Sequence, residues 1–232
     1  MARLSWPGSV VSVLTALLCL SGCGPLQKGE YWKGSYAHLD HPRYRFEVPE
    51  GWREVKAADF ALLGFNRKAY AGLNDAGRKA FFEQADLQIQ ALDTGLVSER
   101  GAWIQVSSQA GTGGWYSSSL ANPFSRDTVQ FALTDSQKKG LWERFETQRV
   151  YNAPRNDKPK LTLEVIDVVN YGLNRALRMR FRSDEARGSL YWTVLGLYTR
   201  DDTVSLAHLG TPENRDEGMA GLETIAATLR FD

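Results

Sequence analysis

The side chains in this sequence that could do chemistry fall into a few groups. His208 stands in the alternating run Thr203-Val204-Ser205-Leu206-Ala207-His208-Leu209, which would place it on the face of Val204 and Leu206. With Asp201 or Asp202 holding one ring nitrogen and Ser117, Ser118 or Ser119 at the other, it would make an acyl-hydrolase triad. No Gly-X-Ser-X-Gly elbow accompanies it, so the competing expectation is a core histidine that needs a hydrogen-bond partner. His38-Leu39-Asp40-His41 is the one cluster of metal-ligand types. Zinc sites take three or four protein ligands, and this cluster reads as a solvated loop, so no metal or other cofactor is expected. Gly111-Thr112-Gly113-Gly114 lacks the Lys and Ser/Thr of a nucleotide loop and reads as an irregular Gly/Ser segment. Trp115 and Tyr116 beside it could serve as an aromatic platform for a small ligand. Arg178, Arg180 and Arg182 alternate with Leu177, Met179 and Phe181. They form either an anion-binding stripe or the solvated face of a one-sided strand.

The N-terminus carries a different chemistry. Arg3 is followed by an apolar run over residues 10–20 that ends in Leu20-Ser21-Gly22-Cys23. A charged start and a short apolar stretch make a secretory signal, and the run is shorter than the roughly 20 residues of a spanning helix. The tetrapeptide resembles the lipobox of bacterial lipoproteins. That resemblance implies cleavage before Cys23 and a diacylglycerol on its sulfur, with the bilayer as partner. Gly24 stands where inner-membrane lipoproteins of Gram-negative cells carry Asp, which in a Gram-negative source favours the outer membrane, facing the periplasm. Each buried methylene contributes about 0.8 kcal/mol and stable anchoring takes more than one chain, so two or three acyl chains would hold permanently.

Cleavage removes one of the 28 basic residues, Arg3, and leaves 27 against 27 acidic ones. Such balance argues against a nucleic-acid partner, which leaves a basic footprint. Cys19 departs with the signal and Cys23 is acylated, so the folded part has no thiol for a disulfide, a metal or nucleophilic catalysis.

These groups must be positioned by a scaffold. Residues 1–22 read as the signal, 23–42 as the lipidated cysteine and tether, and 43–232 as a single domain. At about 3.3–3.6 Å per residue, such a tether could hold the domain several tens of Å from the bilayer. Tyr31, Trp32 and Tyr36 within it would pack on the domain or rest at the lipid interface. Residues 44–48 alternate as a strand and run into the turn Pro49-Glu50-Gly51-Trp52. A helix is expected over 76–85, strands over 87–92 and 102–107, and a connection from Asp93. A helix over 135–149 is capped by Thr134 or Asp135, with Leu141, Trp142 and Phe145 on one stripe. Runs at 161–171, 176–182, 190–199 and 203–209 make an antiparallel meander, with the third run placed centrally. The last helix is capped by Thr211, has Pro212 at its first position, and buries Met219, Leu222, Ile225, Ala226 and Leu229.

The fold class is therefore α+β, an antiparallel sheet with helices packed on its faces. The segment Phe46-Glu47-Val48-Pro49-Glu50-Gly51-Trp52, the late meander and a final helix running into Leu229-Arg230-Phe231 resemble the PsbP-like group. This is an α/β/α sandwich shared by a photosystem subunit and Ran-binding import factors, to which many bacterial lipoproteins look similar. The resemblance implies a domain that binds other proteins and rarely catalyses. The functional expectation is a membrane-tethered, non-enzymatic binding or assembly module of the envelope with a protein partner. Its contact surfaces would be the loop around Trp115 and Tyr116 and the open face of the meander. The alternatives are an envelope hydrolase using His208 with a serine, and small-ligand capture by Trp115 and Tyr116.

Overall fold

Strict alternation builds the first sheet. In strand β3 (Tyr44–Glu47), Tyr44 and Phe46 are buried while Arg45 and Glu47 are exposed. The computed structural model describes residues 29–110, 133–152, 159–185, 188–198 and 202–232. Cys23, Trp115 and Tyr116 lie outside them, as do Asp201, the serines at 117–119 and the Gly111–Gly114 run. β3 pairs antiparallel with β2 (Ser35–His38) and with the C-terminal β11 (Arg230–Phe231), and β1 (Glu30–Trp32) forms the far edge beside β2.

The second sheet has seven strands among the described residues. In spatial order they are β4 (Trp52–Glu54), β5 (Thr94–Ser98), β6 (Trp103–Ala110), β10 (Asp202–Gly210), β9 (Gly188–Tyr198), β8 (Asn174–Glu185) and β7 (Lys160–Tyr171). Every neighbouring pair is antiparallel. The expected meander is present as β7 to β10. The run at 190–199 is interior as β9, and β10 occupies the middle position. The expected turn joins β3 to β4: the Trp52 amide donates to the Pro49 carbonyl at 3.0 Å, and Gly51 takes φ 76°.

Among the described residues four helices close the layers: α1 (Arg67–Ala71), α2 (Asp75–Gln90), α3 (Asp135–Asn152) and α4 (Arg215–Thr228). The small sheet and α4 cover one face of the large sheet, where Phe46, Ile104, Leu195, Leu206, Leu222 and Ile225 share a core. α3 packs on the other face, with Leu141, Trp142 and Phe145 against Met179, Phe181 and Trp192. α2 and the 3-10 turn Ala57–Ala61 complete that side around Phe60, Leu63, Ala85 and Trp103. The result is α+β, three layers deep, with antiparallel sheets between helices.

The capping follows the side chains. Asn74 accepts the Gly77 amide at the start of α2 (2.9 Å). Thr134 and Gln137 form a reciprocal box at the start of α3: the Thr134 amide donates to Gln137 Oε1 at 2.9 Å and the Gln137 amide to Thr134 Oγ1 at 3.3 Å. Asn174 donates to the carbonyls of Ala226 and Leu229, each at 2.7 Å, and so caps the C-terminus of α4 from the β7–β8 turn.

Four expectations need correcting. The stretch 23–42 is not all tether, because β1 and β2 occupy residues 30–38. A two-residue hairpin turn joins them, with Lys33 at φ 46° and Gly34 at φ 79°. Residues 87–92 are not a strand: 87–90 complete α2, with Gln88 buried and Leu87 59% exposed, the reverse of what the alternation implied. The next stretch is no mere connection, since Thr94–Ser98 forms β5, buried on both faces and so without alternation. Finally, α4 starts at Arg215 rather than Pro212. The Asn214 side chain accepts the Thr211 amide at 2.8 Å and holds residues 211–214 in a turn ahead of the helix.

Candidate functional site

The arginine row lies where the strand period put it. Leu177, Met179 and Phe181 of β8 sink into the α3-side core, so Arg178, Arg180 and Arg182 stand on the α4 side. Register sets Arg178 between Asp167 and Leu195, Arg180 between Val165 and Thr193, and Arg182 between Thr162 and Tyr191. α4 borders this polar face, the β7–β8 shelf, along β9 and also touches β7 and β8, through Arg215 near its start and Ala226 near its end. Thr193 donates to Met219 of α4.

Three of the four guanidiniums on the shelf are matched. Arg178 binds Asp167 through both nitrogens, Nε to Oδ1 at 2.9 Å and Nη2 to Oδ2 at 2.6 Å. This pairing holds the Arg178 pKa above its ordinary value. Arg182 donates to Asp184 (3.1 Å), whose other oxygen accepts from Ser189 (2.7 Å). Arg215 reaches from α4 over the Tyr191 ring, 4.5 Å from its centroid, to Glu164 of β7 (2.7 Å). Arg180 sits between these pairs. It is half-buried, its Nε is shielded from water, and among the described residues it has no hydrogen-bond partner. The carboxylates nearest in register, Glu164 and Asp167, are both taken by other arginines. Asp167, Asp184 and Glu164 thus hold three of these guanidiniums, and the one they leave unpaired is Arg180. A planar fork with unused donors suits a carboxylate or phosphate oxygen.

His208 is the buried member of the α4-side core, at 1% exposure. Its Nδ1–H donates to the Trp103 carbonyl at 2.9 Å, which fixes the tautomer and leaves Nε2 as the bare acceptor. Nε2 has no hydrogen-bond partner and faces the backbone of Gly210 and Gly218; a Cβ on Gly218 would lie 2.1 Å from it. Burial pulls the ring's pKa down to about 4, against the opposing bond to Trp103. In a triad Nδ1 would face a carboxylate and Nε2 a hydroxyl. Here, among the described residues, they meet a carbonyl and glycine backbone.

In the His38–His41 segment, Leu39, Asp40 and His41 are exposed, as expected of a solvated loop, and His38 alone departs from that expectation. His38 is buried. Its Nδ1–H donates to the Pro42 carbonyl (3.0 Å), Nε2 stands 3.7 Å from Asp93 Oδ1, and the ring stacks on Tyr44. Asp93 is buried as well and accepts from the Tyr44 hydroxyl at 2.7 Å, while Tyr36 donates to the Asp93 carbonyl at 2.8 Å. Burial first, and then the Asp93 charge, push the Tyr44 pKa well above its ordinary value. His41 reaches Asp202 at 3.1 Å. This network pins the small sheet to the large one. Sequence reasoning overlooked it, although Tyr36 and His38 stand at alternate positions of one short strand, which was the available signal. Among the described residues no group of His, Cys, Asp and Glu could hold a metal ion, and no helix is long and apolar enough to cross a membrane.

No family model matches the chain, and no curated protein matches it in sequence. Among solved structures, the chain is similar to the solution structure of the cyanobacterial PsbP protein CyanoP from Synechocystis. The identity is 13% and the TM-score 0.46, over 92% of this chain and 99% of that one. It is also similar to LpqN of Mycobacterium tuberculosis, a protein involved in cell envelope biogenesis, at 8% identity and a TM-score of 0.38, over 84% and 88% of the two chains. A third likeness, to a Bacteroides thetaiotaomicron protein, has 8% identity and a TM-score of 0.38, over 82% of this chain and 45% of that one. Similarities of this size assign no residue a role here.

Proposed function

We propose that the chain is a lipid-anchored, non-enzymatic binding module of the bacterial envelope, and that its β7–β8 shelf takes an acidic group of a protein partner at Arg180. Acylated Cys23 supplies the anchor, and Gly24 after it favours the outer membrane, facing the periplasm. The observation that carries the binding reading is the spare guanidinium: Arg180 is half-buried with a shielded Nε and no partner among the described residues. An unpaired buried donor costs about 1–3 kcal/mol, and an incoming carboxylate would recover it. The hydrolase alternative finds no support at His208, whose Nε2 faces glycine backbone. The aromatic-platform alternative concerns Trp115 and Tyr116, outside the described residues.

The test is gentle crosslinking in intact envelopes, followed by capture of the protein from detergent. A photoreactive side chain at Val165, beside Arg180 in register, should give a discrete adduct. Arg180→Gln should remove that adduct while Arg180→Lys weakens it. A clean monomer at every position tried along β7 and β8 would count decisively against a binding shelf.

A further inference from the structure

We infer that the β1–β2 hairpin tip, Trp32 with Lys33, rests in the headgroup region of the bilayer and fixes which face of the domain meets the membrane. This rests on the acylation of Cys23 proposed above. The first observation is reach. The first of the described residues, Gly29, is already tied to the domain: its amide donates to the Tyr36 hydroxyl at 3.2 Å. Six residue steps separate Cys23 from Gly29, and at about 3.6 Å each they span no more than about 22 Å. The tether cannot hold the domain several tens of Å away, so the surface around β1 must lie close to the lipid.

The second observation is what that surface presents. β1 is the edge of the small sheet, and its residues point alternately in and out. Tyr31 points in, with its hydroxyl paired to Thr94, and Tyr36 opposite it is buried and bonded to Asp93. Trp32 points out and is 71% exposed, although it is one of the largest apolar side chains in the protein. The core uses both tyrosines and leaves the tryptophan to solvent. Lys33 at the turn lies over the indole, with Nζ 4.5 Å from the ring centroid. An indole with a long cationic neighbour suits the interface: the ring settles at headgroup depth and the ammonium stays in water. Leu39, just beyond β2, is also exposed and adds apolar surface near where the chain enters β1. Other exposed large apolar residues, Leu62, Leu87 and Leu173, belong to other parts of the fold.

Charge favours no particular lipid. On the hairpin and its neighbour β3, Lys33 and Arg45 are offset by Glu30 and Glu47. The contact should therefore form on neutral phosphatidylcholine and resist salt. A weak preference suffices, because the short tether keeps the hairpin at high effective concentration beside the surface.

The experiment uses native protein extracted from envelopes and reconstituted into phosphatidylcholine vesicles, with or without lipid brominated near the headgroup end of its chains. Flotation reads the anchor and quenching of tryptophan emission reads the hairpin. Wild-type protein should float and lose emission on brominated vesicles. Trp32→Phe should float equally well and lose at least twofold less of its emission, at low and high salt alike. Equal quenching of the two floating proteins, or none in either, overturns the placement and leaves the anchor standing. Protein that stays in the soluble fraction overturns the anchor and the placement with it.

Discussion

Acidification should unfold this protein partly through one ring. The His208 pKa is pulled down to about 4 from an ordinary 6.5 because the imidazolium would be buried against Gly210 and Gly218 without water. In the unfolded chain the ring returns to its ordinary value. Between those two values the unfolded chain binds a proton that the folded chain refuses, so stability falls as pH falls through that window and is fully present above it. At about 1.36 kcal/mol per unit, and with the folded ring half-protonated near pH 4, the loss from pH 7 to pH 4 is about 3 kcal/mol. Acid acts on the rest of the chain as well, so the measurement must be differential. His208→Asn keeps an amide N–H to donate to the Trp103 carbonyl and does not titrate. Urea denaturation of both proteins at pH 7, 5.5 and 4 gives the two stability curves. The wild type should lose about 3 kcal/mol more than the variant over that range, most of it below pH 6. Parallel curves would mean that the buried ring keeps its ordinary affinity for protons, and that water or a carboxylate reaches Nε2.

Three further outcomes follow from the packing. Gly218→Ala places a methyl 2.0 Å from His208 Cε1 and should cost about 1–3 kcal/mol in urea denaturation, with part of the loss recovered in the double variant with His208→Ala. Asn174→Ala removes both caps on the end of α4 and should lower the urea midpoint by the equivalent of about 1–2 kcal/mol with an unchanged m-value. Arg178→Met strands Asp167 and should destabilise by up to about 1 kcal/mol, whereas Arg180→Met removes an unpaired donor and should be neutral or stabilising by a few tenths of a kcal/mol; equal losses would show that Arg180 has a partner within the fold.

What the sequence disclosed follows from strand and helix length. The meander from β7 to β10 runs nine to twelve residues per strand, long enough for alternation to be unambiguous, and the two faces of β8 divide at Leu177 and Arg178 as the pattern required. Shorter elements escaped. β1 and β2 have three and four residues, too few for a period to emerge beside Gly29 and Gly34. Residues 87–92 alternate by coincidence, and tertiary packing at Ala85 and Gln88 decided for the helix. The site was legible in part. Its arginines and their common face came from the period of two, but which of them is spare did not. That depends on β7, where the register shifts between Leu163 and Val165 and sends Glu164 to Arg215. A bulge leaves no mark in a run of alternating residues.

The two polar centres of the protein show how differently it treats buried charge. Asp93 is enclosed and surrounded: Tyr44 donates to its carboxylate, His38 stands beside it, and Tyr36 binds its backbone. An ion in such surroundings is tolerable only when partners replace water, and the fold supplies them from the small sheet. That network is closed and leaves nothing for a ligand. Arg180 has the opposite character. Its register neighbours are Val165 and Thr193, the nearby carboxylates of β7 are engaged by other arginines, and its Nε is shielded without a partner among the described residues. If solubility alone were at stake, an exposed lysine would serve at less cost, since its head stays hydrated. A half-buried guanidinium flanked by two saturated ion pairs has instead already given up part of its hydration. An incoming carboxylate would replace that lost hydration, and discrimination against other groups would come from the fork geometry.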